Sequence, residues 1–128
     1  MDTILLQGSV YWAYDYEIED KEEWLKTIAG LFSFNPPLHK HQGVIALTPG
    51  AIEISGDHHL RVPLGSIEQI YLGFDSVFPA SSVKNFGLFW KPLRITFSGG
   101  QVIYLIIDYT GIQTQNPLWA TSISELLA

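Results

Sequence analysis

The chain has 128 residues, a formal net charge of −6 and no cysteine. That length suits one domain, residues 1–128, able to bury a core without disulfides or metals. The lack of cysteine excludes a disulfide scaffold, a thiolate nucleophile and a thiolate zinc site, and it fits a reducing compartment, so the cytoplasm is the expected location.

Charged residues make up only 16 % of the chain, which excludes disorder as a description of the whole. The negative balance argues against nucleic acid as a partner. Asp2 stands where a secretion signal needs a base, and nowhere do roughly 18 apolar residues run together, so neither a signal nor a membrane-spanning helix is expected. The charge is unevenly spread. Six of the thirteen acids lie between Asp15 and Glu23, whereas Ser76 to Ile107 holds no acid and carries Lys84, Lys91 and Arg94.

In chain order, Ile4, Leu6, Val10, Trp12, Tyr14 and Tyr16 fall at even spacing and predict a long first strand over 3–16, kinked or bulged at Gly8. Asp20 followed by Glu23, then Trp24, Leu25, Ile28, Leu31 and Phe32, predicts a short amphipathic helix at about 20–33. Residues 43–56 read as a hairpin turning on Thr48-Pro49-Gly50-Ala51, with Gly50 expected to take the positive φ of a type II turn. Leu60 to Leu64 contains Pro63 and is expected at a sheet edge. Ser66 to Leu72 reads as a strand whose apolar residues do not keep one phase.

Residues 93–107 form a second hairpin, turning on Gly99-Gly100 as a two-residue loop. In its first arm Leu93, Ile95 and Phe97 alternate with Arg94, Thr96 and Ser98. The second arm, Val102 to Ile107, is apolar on both faces, as a strand covered on both sides would be. Asn116-Pro117 reads as an N-cap and first helical residue, with Trp119, Ala120, Ile123, Leu126 and Leu127 as the apolar stripe of a helix over 117–127.

The run Gly43-Val44-Ile45-Ala46-Leu47-Thr48, then Ile52-Glu53-Ile54-Ser55-Gly56, then Val62-Pro63-Leu64-Gly65-Ser66-Ile67-Glu68-Gln69-Ile70, resembles the first half of a GRAM or bacterial pleckstrin-homology-like (PH-like) domain. The similarity extends from about Gly43 to the C-terminus. It implies a mainly β fold: an antiparallel barrel or sandwich with hairpins 43–72 and 93–107, a C-terminal α-helix and a short N-terminal helical insertion. Members of that superfamily engage lipid headgroups, peptides or neighbouring protein domains. The lipid binders carry several Lys and Arg on the hairpin between their first two strands. Here the Pro49-Gly50 turn has no base within five residues on either side.

Residues 73–92 lack periodicity and hold Phe74, Phe78, Phe86, Phe89 and Trp90, five of the seventeen aromatics. A long irregular connection rich in aromatics and bases is expected to be a contact surface. The expected binding residues are Phe74, Lys84, Phe89, Trp90, Lys91 and Arg94, serving a protein partner or self-association. The alternative use of the same residues is a peripheral membrane contact, in which Phe89 and Trp90 insert and the bases meet anionic headgroups.

No nucleophile elbow, phosphate-cradling loop or metal-ligand spacing appears. His39, His41, His58 and His59 could converge if neighbouring strands align them, but paired histidines at turn edges are more often solvated. A non-catalytic binding domain without metal or cofactor is the expectation.

Overall fold

The computed structural model describes residues 3–18, 40–78 and 89–128. Seven antiparallel strands form one sheet: β1 (Leu6–Tyr14), β2 (His41–Leu47), β3 (Ala51–Gly56), β4 (Leu60–Pro63), β5 (Ile67–Leu72), β6 (Leu93–Phe97) and β7 (Gln101–Ile107). A four-residue helix, α1 (Asp15–Ile18), follows β1, and α2 (Asn116–Leu127) ends the chain. The strand order is β4-β3-β2-β1-β7-β6-β5, so β1 joins an N-terminal meander to a C-terminal one and the sheet curls nearly into a barrel. Its two edges, β4 and β5, are joined by a single 3₁₀ turn, Leu64–Ser66. The predicted helix at about 20–33 lies outside the described residues.

Strand alternation sets the core. Val10 and Trp12, Ile45 and Leu47, Ile52 and Ile54, Val62, Leu93, Ile95 and Phe97, and Ile103, Leu105 and Ile107 all point inward and are buried with Trp119 and Ile123 of α2. Each fully buried Leu or Ile side chain contributes about 1.5–3 kcal/mol. β7 lies between β1 and β6, and its opposite face is covered too: Tyr104 and Ile106 belong to a second buried cluster with Ala13, Ile18, Phe78 and Trp90. That double covering accounts for an arm apolar on both faces.

β4 is an edge strand, as Pro63 implies. The broken phase in β5 is a bulge: the pairing with β6 shifts between Ile67 and Gln69, so Ile67, Ile70 and Leu72 all pack toward the main core despite their uneven spacing.

Three local expectations are corrected. β1 has no bulge at Gly8, since Leu6 to Trp12 pair without interruption with Leu47 to His41. A Cβ at Gly8 would sit 2.7 Å from the Asp108 carboxylate, which accepts the Ser9 amide, so a side chain there would have to displace that carboxylate.

Gly50 does not have a positive φ. The turn is instead closed by Thr48, whose Oγ1 accepts the amides of Gly50 and Ala51 at 3.3 and 3.1 Å. The Gly99-Gly100 turn has three residues, because Phe97 pairs with Gln101 and Ser98, Gly99 and Gly100 all take positive φ.

Candidate functional site

The described ends of the aromatic connection, 73–78 and 89–92, bring Phe78 and Trp90 onto the outer face of the sheet. Phe78 lies 5.6 Å from the Tyr104 ring, 6.3 Å from Trp90 and 6.1 Å from Phe74, and Trp90 reaches Tyr109 at 5.7 Å, all centroid to centroid. Asp75 fastens this lid. Its Oδ1 accepts the amides of Val77 and Phe78 at 2.9 and 2.8 Å. Its Oδ2 accepts Tyr104 Oη at 2.7 Å and Arg94 Nη1 at 2.9 Å. Arg94 also donates to Gln69 Oε1 and lies over the Tyr71 ring.

Burial alone would favour the neutral carboxyl, but the hydrogen bonds from Phe78, Tyr104, Arg94 and Val77 hold Asp75 below its ordinary value. Burial, and then the bond to Asp75, push the Tyr104 phenol well up, so it remains a donor. A carboxylate with a depressed folded pKa stabilises fully above its unfolded value of about 3.9 and loses that contribution as the pH falls through the folded value. Asp75→Asn is expected to cost about 2–3 kcal/mol at pH 7, the scale of hydrogen bonds to a charged group. In urea titrations the difference from wild type should narrow as the pH drops below about 4. A difference that stays constant through that range would assign the loss to packing and leave the carboxylate charge without a role.

The expected binding residues therefore separate. Trp90, read from sequence as a contact residue, is only 8 % exposed and roofs the second cluster. Phe74 is half-buried against it, at 6.1 Å between centroids. Arg94 is engaged on three sides, which limits its reach toward a partner. Phe89, at 50 %, and Lys91 are exposed. Lys84 lies outside the described residues.

A surface better suited to a partner runs along β5. Among the described residues only β6 pairs with this strand, so its other edge, beside α2, is not covered by a described strand. Between them lie two hollows of about 490 and 310 Å³ that share Ile70, Ser124 and Ala128 and so form one trough. Leu72 and Ala120 line one end, Ile67 and Leu127 the other. The opposite edge is less suitable: β4 has four residues, one of them Pro63. The sequence signal for the trough was the phase break in β5 together with a helix stripe too wide for one buried face, since Leu126 and Leu127 remain exposed.

Two of the histidines, His41 and His58, meet at the start of β2. His41 stacks against His58 at 4.9 Å and against Trp12 at 4.5 Å between centroids. His41 Nε2 lies 2.8 Å from Glu17 Oε2, and Nδ1 lies 3.4 Å from Asp57 Oδ2. Desolvation works against the Asp57 charge, but the Gln42 amide and His41 together hold that carboxyl below its ordinary range. His59 turns away toward Ser55, and His39 lies outside the described residues. Among the described residues no group of three or more His, Asp or Glu side chains could hold a metal ion. Nor is any described helix long and apolar enough to cross a membrane.

These features define a class of protein: a nearly closed, seven-stranded antiparallel sheet with a C-terminal helix packed beside its last edge. The fold is similar to the crystal structure of the C-terminal domain of an unknown protein from Leishmania infantum, with a TM-score of 0.56 and 13 % identity over 99 % of this chain and 86 % of that one. At that identity the likeness is one of fold. No family model matches the chain, and no curated protein matches it in sequence.

Proposed function

We propose that the chain is a non-catalytic, PH-like interaction module that takes an extended segment of a protein partner along the free edge of β5, in the trough against α2. The observation that carries this reading is the pairing of a six-residue edge that no described strand covers with an adjacent trough whose lining sets Ile67, Ile70 and Leu72 beside polar Gln69, Thr121 and Ser124. Strand addition at such an edge draws affinity from main-chain hydrogen bonds, and alternate side chains of the guest enter the neighbouring groove and give specificity. The bulge at Glu68 leaves only the stretch from Gln69 to Leu72 regular, which limits pairing to short segments and guards against edge-to-edge aggregation.

The peripheral-membrane alternative retains Phe89 and Lys91 but loses free use of Arg94 to Asp75 and Gln69, so fewer bases are available for headgroups.

Panning a displayed random-peptide library should enrich peptides with alternating apolar residues that slow hydrogen exchange of β5 amides. Ser124 is exposed on the trough wall, so Ser124→Arg should fill the trough and weaken these peptides at least about tenfold while changing stability by no more than about 0.5 kcal/mol. Peptides that bind the variant as well as wild type would place the site elsewhere. Light scattering on the same samples separates a foreign partner from a second copy, and sedimentation with anionic liposomes checks the membrane alternative.

A further inference from the structure

Where β1 ends and β2 begins, one imidazole is held between two carboxylates of different elements. Glu17 of α1 presents both oxygens to His41 Nε2, at 2.9 and 2.8 Å, and also accepts the Tyr14 amide. Asp57, in the turn after β3, faces His41 Nδ1 at 3.4 Å and accepts the Gln42 amide at 3.1 Å. A neutral imidazole has one N–H and can donate to one of these acids, whereas an imidazolium donates to both.

The titratable groups around the ring are Glu17 from α1, Tyr14 from β1, and Asp57 and His58 from the turn after β3, with Tyr16 stacked on Tyr14 and Lys40 immediately before β2. Of these, His58 is stacked on His41, so a positive charge on both rings would oppose the closed arrangement.

Beneath His41 lies Trp12, fully buried, whose indole N–H has no acceptor among the described residues. Two opposed tendencies therefore meet at this point. Charge-assisted hydrogen bonds tie α1 to β2 through Glu17 and hold the turn after β3 beside Trp12, whose ring lies 5.9 Å from His58. The orphan N–H favours opening, since water would satisfy it.

We propose that His41 is a protonation-dependent latch. As an imidazolium it binds α1 through Glu17 and fastens the turn after β3 over Trp12 through Asp57. On losing the Nδ1 proton to solvent it keeps Glu17 and releases the longer, more exposed bond to Asp57, and water gains access to the indole N–H. Histidine is the side chain whose charge changes near neutral pH, so the latch loosens as the pH rises.

The test uses the full chain, isotopically labelled, with NMR following the His41 ring nitrogens and solvent exchange of the Trp12 indole N–H across about pH 5 to 8. Indole protection, corrected for the intrinsic pH dependence of exchange, is expected to fall about tenfold or more at the pH where His41 titrates. The buried Ile107 amide, bound to Asn116 Oδ1, should stay protected throughout and so exclude global unfolding. His41→Gln should show low indole protection without a pH step, and Asp57→Asn should shrink the step. Protection that stays flat while His41 titrates, a His41 ring that does not titrate in this range, or a step that survives in both variants would each overturn the latch. If His41→Gln does not fold, the wild type and the exposed-site variant Asp57→Asn decide the question.

Discussion

Asn116→Ala is expected to cost about 3–5 kcal/mol, the loss produced when several buried polar groups are orphaned together. The side chain is completely buried at the junction of three segments. Its Oδ1 accepts the Ile107 amide at 2.9 Å, and its Nδ2 donates to the carbonyls of Lys91 and Leu105 at 2.7 and 3.1 Å. One amide thus ties the start of α2 to the end of β7 and to the chain entering β6.

Alanine leaves one donor and two acceptors unsatisfied and opens a void besides. Asn116→Asp separates the polar account from the volume account. The acceptor for Ile107 survives, but a carboxylate faces two carbonyl oxygens, so its charged form is disfavoured in the folded state and its folded pKa is raised. Stability of that variant should therefore recover as the pH falls through the raised value, because the protonated carboxyl can donate again. Urea unfolding of both variants at pH 7 and pH 5 supplies the readout. A cost below about 1 kcal/mol for alanine would show that water replaces the amide and that the junction does not depend on it.

Trp119→Ala should be comparably severe, about 3–5 kcal/mol, the range for removing a large aromatic from a close-packed core. Trp119 is 1 % exposed and, with Ile123, is the means by which α2 closes the main core. The neighbouring Leu118 is 48 % exposed, and Leu118→Ala on the same helix turn should stay within about 0.5 kcal/mol. The contrast between the two isolates docking from helix propensity, which both substitutions leave similar or improve. If Trp119→Ala lowers the denaturant midpoint no more than Leu118→Ala does, α2 is held by the Asn116 junction alone.

Sequence reasoning reached the strands and the final helix because their signals are local. Leu93, Ile95 and Phe97 alternate with Arg94 and Thr96, and burial follows that alternation residue by residue. The proline in β4 marked an edge for a reason internal to the residue: it has no amide to donate. The double-sided apolar arm of β7 announced a covered strand, although the cover on its outer face proved to be Phe78 and Trp90, with α2 serving the inner face instead. Even the failed phase of β5 was information, since a bulge is what makes Ile67, Ile70 and Leu72 share a side.

Where partners are distant in sequence, the residues alone did not decide. Asn116 reads as a helix cap from its neighbour Pro117, yet its bonds go to positions nine, eleven and twenty-five residues away. Aromatic density between 73 and 92 fits a contact surface and a second core equally well. Among the described residues, Asp75 joins Phe74 and Phe78 to a second core by reaching Arg94 and Tyr104, nineteen and twenty-nine residues on, while Phe89 stays exposed. The histidines carried no spacing signal, because only the pairing of β1 with β2 puts Trp12 opposite His41. By itself, then, the sequence determined what period and turn chemistry write locally: a mainly β chain with two hairpins, one edge strand at Pro63 and a terminal amphipathic helix. Tertiary structure alone decided which described aromatics are roof and which are surface, that β5 is an edge strand of the described sheet beside α2, and that His41 lies between two acids, because each depends on strand order and register that no local window contains.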